Sequence, residues 1–404
     1  MPSHVCLVYD SPISFSGQYA ASALLRETLA ERGWTFDAVE FPALDRTAGW
    51  LRRNGSYAAR IADCWRQLAT VLRDDAVLHV NLPQSRVAFA KMGWPTLVLD
   101  RLRPDVPKVV SLHGSIFMGW ERDQPEARSL LRILRAADVV TVLGPTQRDR
   151  LLEWGLPAER VAIVENTCEL VPLSDDEVAD KQALAPGEPI RLLHLSLLIE
   201  SKGYPEFLEA LELLAERDLG RPVEAVLCGP PSFSAFCTRF TTVESKSAWI
   251  EEKVERINRS ASVSVRWIPG AVGAEKKALF DAAHVFAFPS RFPVEAQPLV
   301  LLEAMAGGCA LLTSDVGEIP STVGEGTARF LDDTGPAAIA EGIEELARND
   351  GLRQSLAARA VRRARTRFTT ERYGDVWERI LRDLAADAPR VSPSTPMPEP
   401  ATSA

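Results

Sequence analysis

Cysteine is sparse in this chain and never clustered. The six residues Cys6, Cys64, Cys168, Cys228, Cys237 and Cys309 include no C-x-x-C pair. That spacing excludes a zinc ribbon and a disulfide framework, and it predicts reduced thiols in a cytoplasm. Long apolar runs are missing too: the longest are strand-sized and broken by polar residues, so none could span a bilayer. The first of them, Val5–Tyr9, is too short to serve a secretory leader, and none is expected. Nor is positive charge in excess. There are 46 Lys+Arg against 55 Asp+Glu, a net −9, and residues 1–170 carry 20 of each. The whole imbalance therefore lies beyond residue 170. A nucleic-acid-binding role, which needs surplus cations against phosphate, is disfavoured. D-x-D, G-x-S-x-G, H-E-x-x-H and Walker sequences are also absent, so no metal ligand set, serine nucleophile or P-loop is expected.

Positive charge is dense over one stretch of the first half. Six arginines between Arg46 and Arg73 are opposed only by Asp63, with Trp50, Tyr57 and Trp65 interleaved. A solvated helix face accounts for this, and so does peripheral contact with an acidic acceptor or with lipid headgroups at a membrane.

At 404 residues the chain is long enough for two domains. Short apolar runs alternate with helix-length periodic stretches from Val5 to Val164. After a polar, Pro/Gly-bounded stretch the same alternation resumes from Ile190 to Thr313. Such alternation predicts α/β architecture with parallel, doubly wound sheets, whose ligands sit beyond the carboxyl ends of the strands. The expected layout is a first Rossmann-like domain over residues 1–170, a linker over 171–188 and a second Rossmann-like domain over 189–367. A C-terminal helix over 368–387 would cross back to the first domain. The Pro/Ser/Thr-rich tail 388–404 has no periodic apolar residues and reads as disordered.

The richest stretch is Phe286–Gly308, F-A-F-P-S-R-F-P-V-E-A-Q-P-L-V-L-L-E-A-M-A-G-G. A strand ends near Pro289, and Pro298 opens a helix, since proline suits the first helical position. The amides around Leu299 and Val300 then form a seat for phosphate at the positive end of the helix dipole. Glu295 precedes that seat and Glu303 lies inside the helix, bracketing it. Other strand-end candidates are Gly17, His113 and the Asn166–Glu169 turn, whereas His4, His79, His194 and His284 read as structural.

These glutamates with A-M-A-G-G behind them, the S-K-G at 201–203 and the later R-F-T-T-E-R-Y resemble the retaining glycosyltransferases of family 4. The resemblance runs from Val5 to about Leu384 and is most specific over Pro289–Ile319. It implies the GT-B fold, two Rossmann-like domains facing a central cleft, and transfer of a sugar from a nucleotide-diphosphate donor with retention. Carried over, Glu303 would hold the ribose hydroxyls, Glu295 the donor sugar, and Gln297–Val300 and Lys202 the diphosphate. His113 would stand beside the sugar, and Gly17 would let backbone approach the phosphates. Ser196, Gly229 and Ile268 complete the donor site, Gly229 and Ile268 through backbone on the base. The catalytic set is Glu295, His113 and Lys202. No cofactor or metal is implied, and the acceptor is a small molecule, a glycan or a lipid-linked sugar. One departure stands out: the family's usual arginine before the lysine is Leu197 here, with Arg291 a substitute in sequence terms. A nucleotide-sugar epimerase on the same fold, or a non-catalytic nucleotide-binding partner of another transferase, are the rival readings.

Overall fold

The computed structural model describes residues 4–10, 17–42, 50–234 and 236–385, the side chains of 17–18 and 50–56 excepted. The tail 388–404, Arg46 and the loop before Gly17 lie outside the described residues, as do the side chains of Trp50, Arg52 and Arg53. The chain divides into two compact units, Met1–Asn166 with Thr370–Ala404, and Thr167–Thr369.

The first unit runs β1 (His4–Asp10), α1 (Gly17–Ala30), β2 (Thr35–Phe41), α2 (Trp50–Val71), β3 (Ala76–Asn81) and α3 (Arg86–Ala88). A π-helical turn at Phe89–Gly93 leads into α4 (Trp94–Leu102). Then come β4 (Lys108–Leu112), α5 (Pro125–Leu134), β5 (Val139–Val142), α6 (Pro145–Glu153) and β6 (Val161–Ile163). The second unit runs α7 (Asp175–Gln182), β7 (Ile190–Leu195), α8 (Tyr204–Leu214), β8 (Val223–Cys228), α9 (Val243–Ile257), β9 (Val263–Ile268), α10 (Gly273–Ala282) and β10 (Val285–Phe288). It continues through α11 (Leu299–Ala306), β11 (Ala310–Thr313), α12 (Ile319–Val323), β12 (Ala328–Phe330), α13 (Pro336–Arg348) and α14 (Asp350–Arg367). The final helix, α15 (Thr370–Ala385), belongs to the first unit.

Each unit holds one six-stranded sheet, ordered β2-β1-β3-β4-β5-β6 and β12-β11-β10-β7-β8-β9. Every pairing is parallel. Strands covered by helices on both faces are buried along their whole length rather than alternating between buried and exposed. Thus β4 (KVVSL) and β10 (VFAF) are buried at every residue. On one face of the first sheet, α15 packs Trp377 against the His79 ring at 4.8 Å, with Leu25, Leu29 and Tyr373 around it. Arg32 ties the same helix down by pairing with Asp375 and Glu378.

Residues 171–188, expected as a bare linker, include α7. Ser174 and Glu177 close a capping box around its N-terminus. Lys181 donates to Phe280 O, and Gln182 Nε2 donates to the carbonyls of His284 and Gly308. The S-D-D-E sequence carried that capping signal. The short strand β12 has no apolar run to announce it, because all three of its residues are only half-buried.

Candidate active site

The second sheet changes direction at its middle. From β7 the chain proceeds outward through β8 and β9, and from β10 it proceeds the other way through β11 and β12. The loops leaving neighbouring strands β7 and β10 therefore diverge and open a crevice at their carboxyl ends, where open α/β sheets bind ligands. The β7 loop carries Ser196 and Lys202, and the β10 loop carries Glu295, Gln297 and Pro298. Both loops meet in one ion pair. Lys202 Nζ lies 2.7 Å from Glu295 Oε1 and 2.5 Å from Oε2. Ser290 Oγ adds a donor to the same carboxylate at 2.8 Å. The ammonium also sits 5.1 Å from the centre of the Phe292 ring and 5.6 Å from that of Phe288.

Backbone contacts fix this carboxylate. Gly317 has φ +57°, and a Cβ there would lie 2.0 Å from Glu295 O; Glu318 N donates to that same oxygen. Gly229, at φ +145°, brings the β8 end against the β7 loop, where a Cβ would meet Ser196 O at 1.7 Å. Its N–H donates to Ile268 O, and its carbonyl accepts from the Trp267 indole. Gly229 and Ile268 thus serve each other, and what the glycine contributes here is close approach. Ser196 Oγ is 3.1 Å from His194 Nε2.

Pro298 is the N-cap of α11 rather than its first helical residue, with extended dihedrals, so Leu299 begins the helix. Its carbonyl takes the Leu301 N–H, and the N–H groups of Leu299 and Val300 lie ahead of the first intrahelical bond. Gln297 is buried beside them. Glu303, a turn further in, pairs with Lys276 of α10. Burial raises its pKa; Lys276 opposes that rise and the carboxylate of Glu169 adds to it. The site is thus two carboxylate–ammonium pairs flanking a helix N-terminus.

Nothing in the sequence singles out Lys276, since A-E-K-K-A-L-F reads as an ordinary amphipathic helix start. Ser290 and Gly317 are likewise invisible there as site residues, because their roles exist only through contacts made across the fold. Arg291 does not replace the missing arginine at Leu197: its guanidinium pairs with Glu206 of α8 and its N–H donates to Ser201 O.

His113 and Gly17 belong to the first unit. His113 follows β4 in a turn clamped by Gln84 and Gln147, whose side-chain amides both donate to Gly114 O. Burial lowers its pKa to about 4, against a hydrogen bond with Asn166, and its Nδ1 is buried with no hydrogen-bond partner. The imidazole is therefore neutral and keeps one ring nitrogen uncommitted. Gly17 is the first residue of α1. Among the described residues no group of three or more His, Cys, Asp and Glu is placed to hold a metal ion, and no helix is long and apolar enough to cross a membrane.

A relative from Corynebacterium diphtheriae, named D-inositol 3-phosphate glycosyltransferase, is 26% identical over 276 residues, covering 66% of this chain and 61% of the relative's own length. Sucrose-phosphate synthase from Thermosynechococcus elongatus superposes with a TM-score of 0.70 at 19% identity, over 95% of this chain and all (100%) of that one. Anabaena HepE in complex with UDP-glucose gives a TM-score of 0.64 at 15% identity, over 94% and 99%. Residues 16–167 match the family model for the glycosyl transferase 4-like domain, and residues 175–364 match that for glycosyl transferases group 1. With both halves matched the chain belongs to glycosyltransferase family 4, and its two parallel six-stranded sheets and its likeness to sucrose-phosphate synthase give it the GT-B fold.

Proposed function

We propose that this chain is a retaining glycosyltransferase that moves a sugar from a nucleotide-diphosphate donor to a hydroxyl acceptor and needs neither metal nor cofactor. The observation carrying this reading is the Lys202–Glu295 pair at the β7/β10 reversal, beside the open end of α11. Departure of a nucleotide diphosphate is where negative charge develops. An ammonium and helix amides aimed there stabilise the transition state, by about 3–4 kcal/mol for one such donor. Glu303 suits the ribose diol, because each carboxylate oxygen accepts one hydroxyl in a charge-assisted bond. Glu295 suits the sugar hydroxyls on the other side of the phosphates. The acceptor attacks from the leaving group's face, and the departing phosphate helps take its proton. The UDP-glucose bound by the Anabaena protein makes a UDP-hexose the first donor to try. The relative named for D-inositol 3-phosphate makes a phosphorylated polyol the first acceptor.

The test is release of nucleotide diphosphate from UDP-, GDP-, ADP- and dTDP-sugars with and without acceptor, in the presence of EDTA, with the product's anomeric configuration read by NMR. A β-linked product from an α-linked donor rejects retention, and loss of turnover in EDTA rejects metal independence. Acceptor-independent conversion of the sugar favours the epimerase. Leu197 and the engaged Arg291 motivate one further alternative, a nucleotide-binding homologue without transfer. An unchanged cellular phenotype for Glu295→Ala would favour it.

A further inference from the structure

The crossover from β3 to β4 exposes what such helices normally hide. Its inward side (Ala88, Phe89, Met92, Thr96) is buried as expected. Its outward side carries Val87, Trp94, Val98 and Leu102, exposed by 49%, 41%, 55% and 70%. Steps of four advance slightly more than one helical turn, so Trp94, Val98 and Leu102 form a gently winding ridge along α4. Solvent-facing helices carry polar residues there, and a contiguous exposed apolar ridge marks a contact surface.

The neighbouring helix supplies charge of one sign. On α5 the exposed side presents Arg128 and Arg132, and Arg135 follows just beyond its end, at i, i+4 and i+7. None of the three forms an ion pair with a described residue. The Arg132 guanidinium lies 5.6 Å over the Trp94 ring, which joins the basic row to the apolar ridge. With Arg122, Asp123 and Leu131 these arginines line an open cavity of about 540 Å³. The acids nearby are mostly occupied: Glu126 pairs with Arg86, and Asp100 lies 3.4 Å from Lys108. Asp123 is the carboxylate left in the cavity. On a chain of net charge −9, this row is a local inversion of sign. By contrast, the arginine-rich α2 turns Trp65 inward onto Phe41, and its Arg66 pairs with Asp63.

We propose that the outward face of α4 and α5 docks on an anionic lipid bilayer. Val87, Trp94, Val98 and Leu102 enter the acyl boundary, and Arg128, Arg132 and Arg135 take the headgroup phosphates. Charge complementarity selects this occupant. A nucleic acid would use the arginines but find no partner for the aliphatic ridge. A bilayer surface takes both rows at once, with an amphipathic aromatic at the junction where interfacial tryptophan sits.

The test is co-sedimentation of the full chain with phosphatidylcholine vesicles, alone or containing phosphatidylglycerol, at low and high salt. Binding is expected only with phosphatidylglycerol present, and salt should weaken it. Each arginine near an anionic surface contributes about fivefold in partitioning, so joint Arg128→Gln, Arg132→Gln and Arg135→Gln should cost on the order of a hundredfold. Joint Trp94→Ser, Val98→Ser and Leu102→Ser should abolish binding while leaving the melting temperature near that of the parent. The proposal is overturned if the chain stays in solution with both vesicles, or if it binds neutral vesicles equally well. It is also overturned if inorganic phosphate alone displaces it at constant ionic strength, which would mark a free-anion site. Light scattering that shows a dimer dissolved by the serine changes would identify a second copy as the occupant instead.

Discussion

Lys202 closes both carboxylate oxygens of Glu295, at 2.7 and 2.5 Å, across the point where the second sheet reverses direction. The cation expected to meet phosphate and the carboxylate expected to meet sugar are thus each other's counter-ion. A donor must compete for both, and that competition selects ligands carrying an anion and hydroxyls at the right separation. Glu295 is the more buried partner, 7% exposed at its side chain against 19% for Lys202. Removing the cation should therefore hurt the fold more than removing the anion. Lys202→Met is expected to lower stability by about 3–5 kcal/mol, the range for an uncompensated buried charge. Glu295→Gln, which keeps a partner for Ser290, should cost less. Both should reduce transfer by about a hundredfold or more. Urea denaturation with assay of nucleotide diphosphate release checks this, and a fully active Glu295→Gln would rule out the role given to Glu295.

Glu303 should give nucleotide binding an acid limb. Burial raises its carboxyl pKa above the ordinary 4.5, with Lys276 opposing and Glu169 reinforcing. The folded state therefore holds this proton more tightly than the unfolded chain. Its contribution to stability is complete below the unfolded pKa and is lost as pH rises through the folded one. Binding runs the other way, because ribose hydroxyls donate to the ionised carboxylate. Affinity for a nucleoside diphosphate should fall on acidification, with a midpoint above 4.5. Glu303→Gln should bind weakly at every pH, without that limb. Calorimetric titration across the range decides it, and an identical pH profile in the variant would contradict the assignment.

Much of this architecture was legible because parallel strands announce themselves. V-F-A-F and K-V-V-S-L have the length and β-branched or aromatic content of buried strands, and their alternation with helices implies a crevice at the strand ends. The positions of Glu295, Lys202 and the α11 N-terminus follow from that logic and from the family resemblance. The pairing among them did not follow. Lys276 reaches Glu303 from another helix, and Glu206 takes Arg291 from α8; neither contact leaves a periodic or spaced trace. The capping box of α7 was readable in S-D-D-E but was overshadowed by the polarity of the stretch around it.

Gly317 shows how a residue without a side chain positions one that has chemistry. With φ at +57° and only 2.0 Å between the place a Cβ would occupy and Glu295 O, there is no room for alanine. The obstacle is backbone, so it can yield only if the loop holding Glu295 moves. Gly317→Ala should therefore lower transfer by a factor larger than its effect on stability predicts. Gly187, also at positive φ, has open space around its Cβ position. Gly187→Ala should bear the conformational penalty alone, about 1 kcal/mol, with transfer intact. Thermal melts paired with turnover rates separate the two, and equal activity in both variants would remove Gly317 from the site.

Buried imidazoles should make both units acid-sensitive well above the pH at which carboxylates titrate. Burial lowers His79 and His284 to about 3 and His194 and His113 to about 4; proximity to His113 adds to the shift at His79, and nearby Arg191 to that at His284. A folded pKa depressed below the ordinary 6.5 means that the unfolded chain takes the proton first. The stability contributed is present above the unfolded value and is lost as pH falls toward the folded one. At about pH 5 each such histidine costs about 2 kcal/mol relative to neutral pH. With two histidines in each unit, the loss is about 4 kcal/mol per unit. His79 meets Ser111 Oγ at 2.7 Å and packs against Trp377 with its ring tilted at 44°, so His79→Asn should weaken the seat of α15 while removing one proton from the acid slope of the first unit. Urea titrations at several pH values, with the unfolding of each unit followed separately, read both effects. A pH-independent free energy of unfolding between neutrality and about pH 5 would show that these rings are protonated in the folded protein after all.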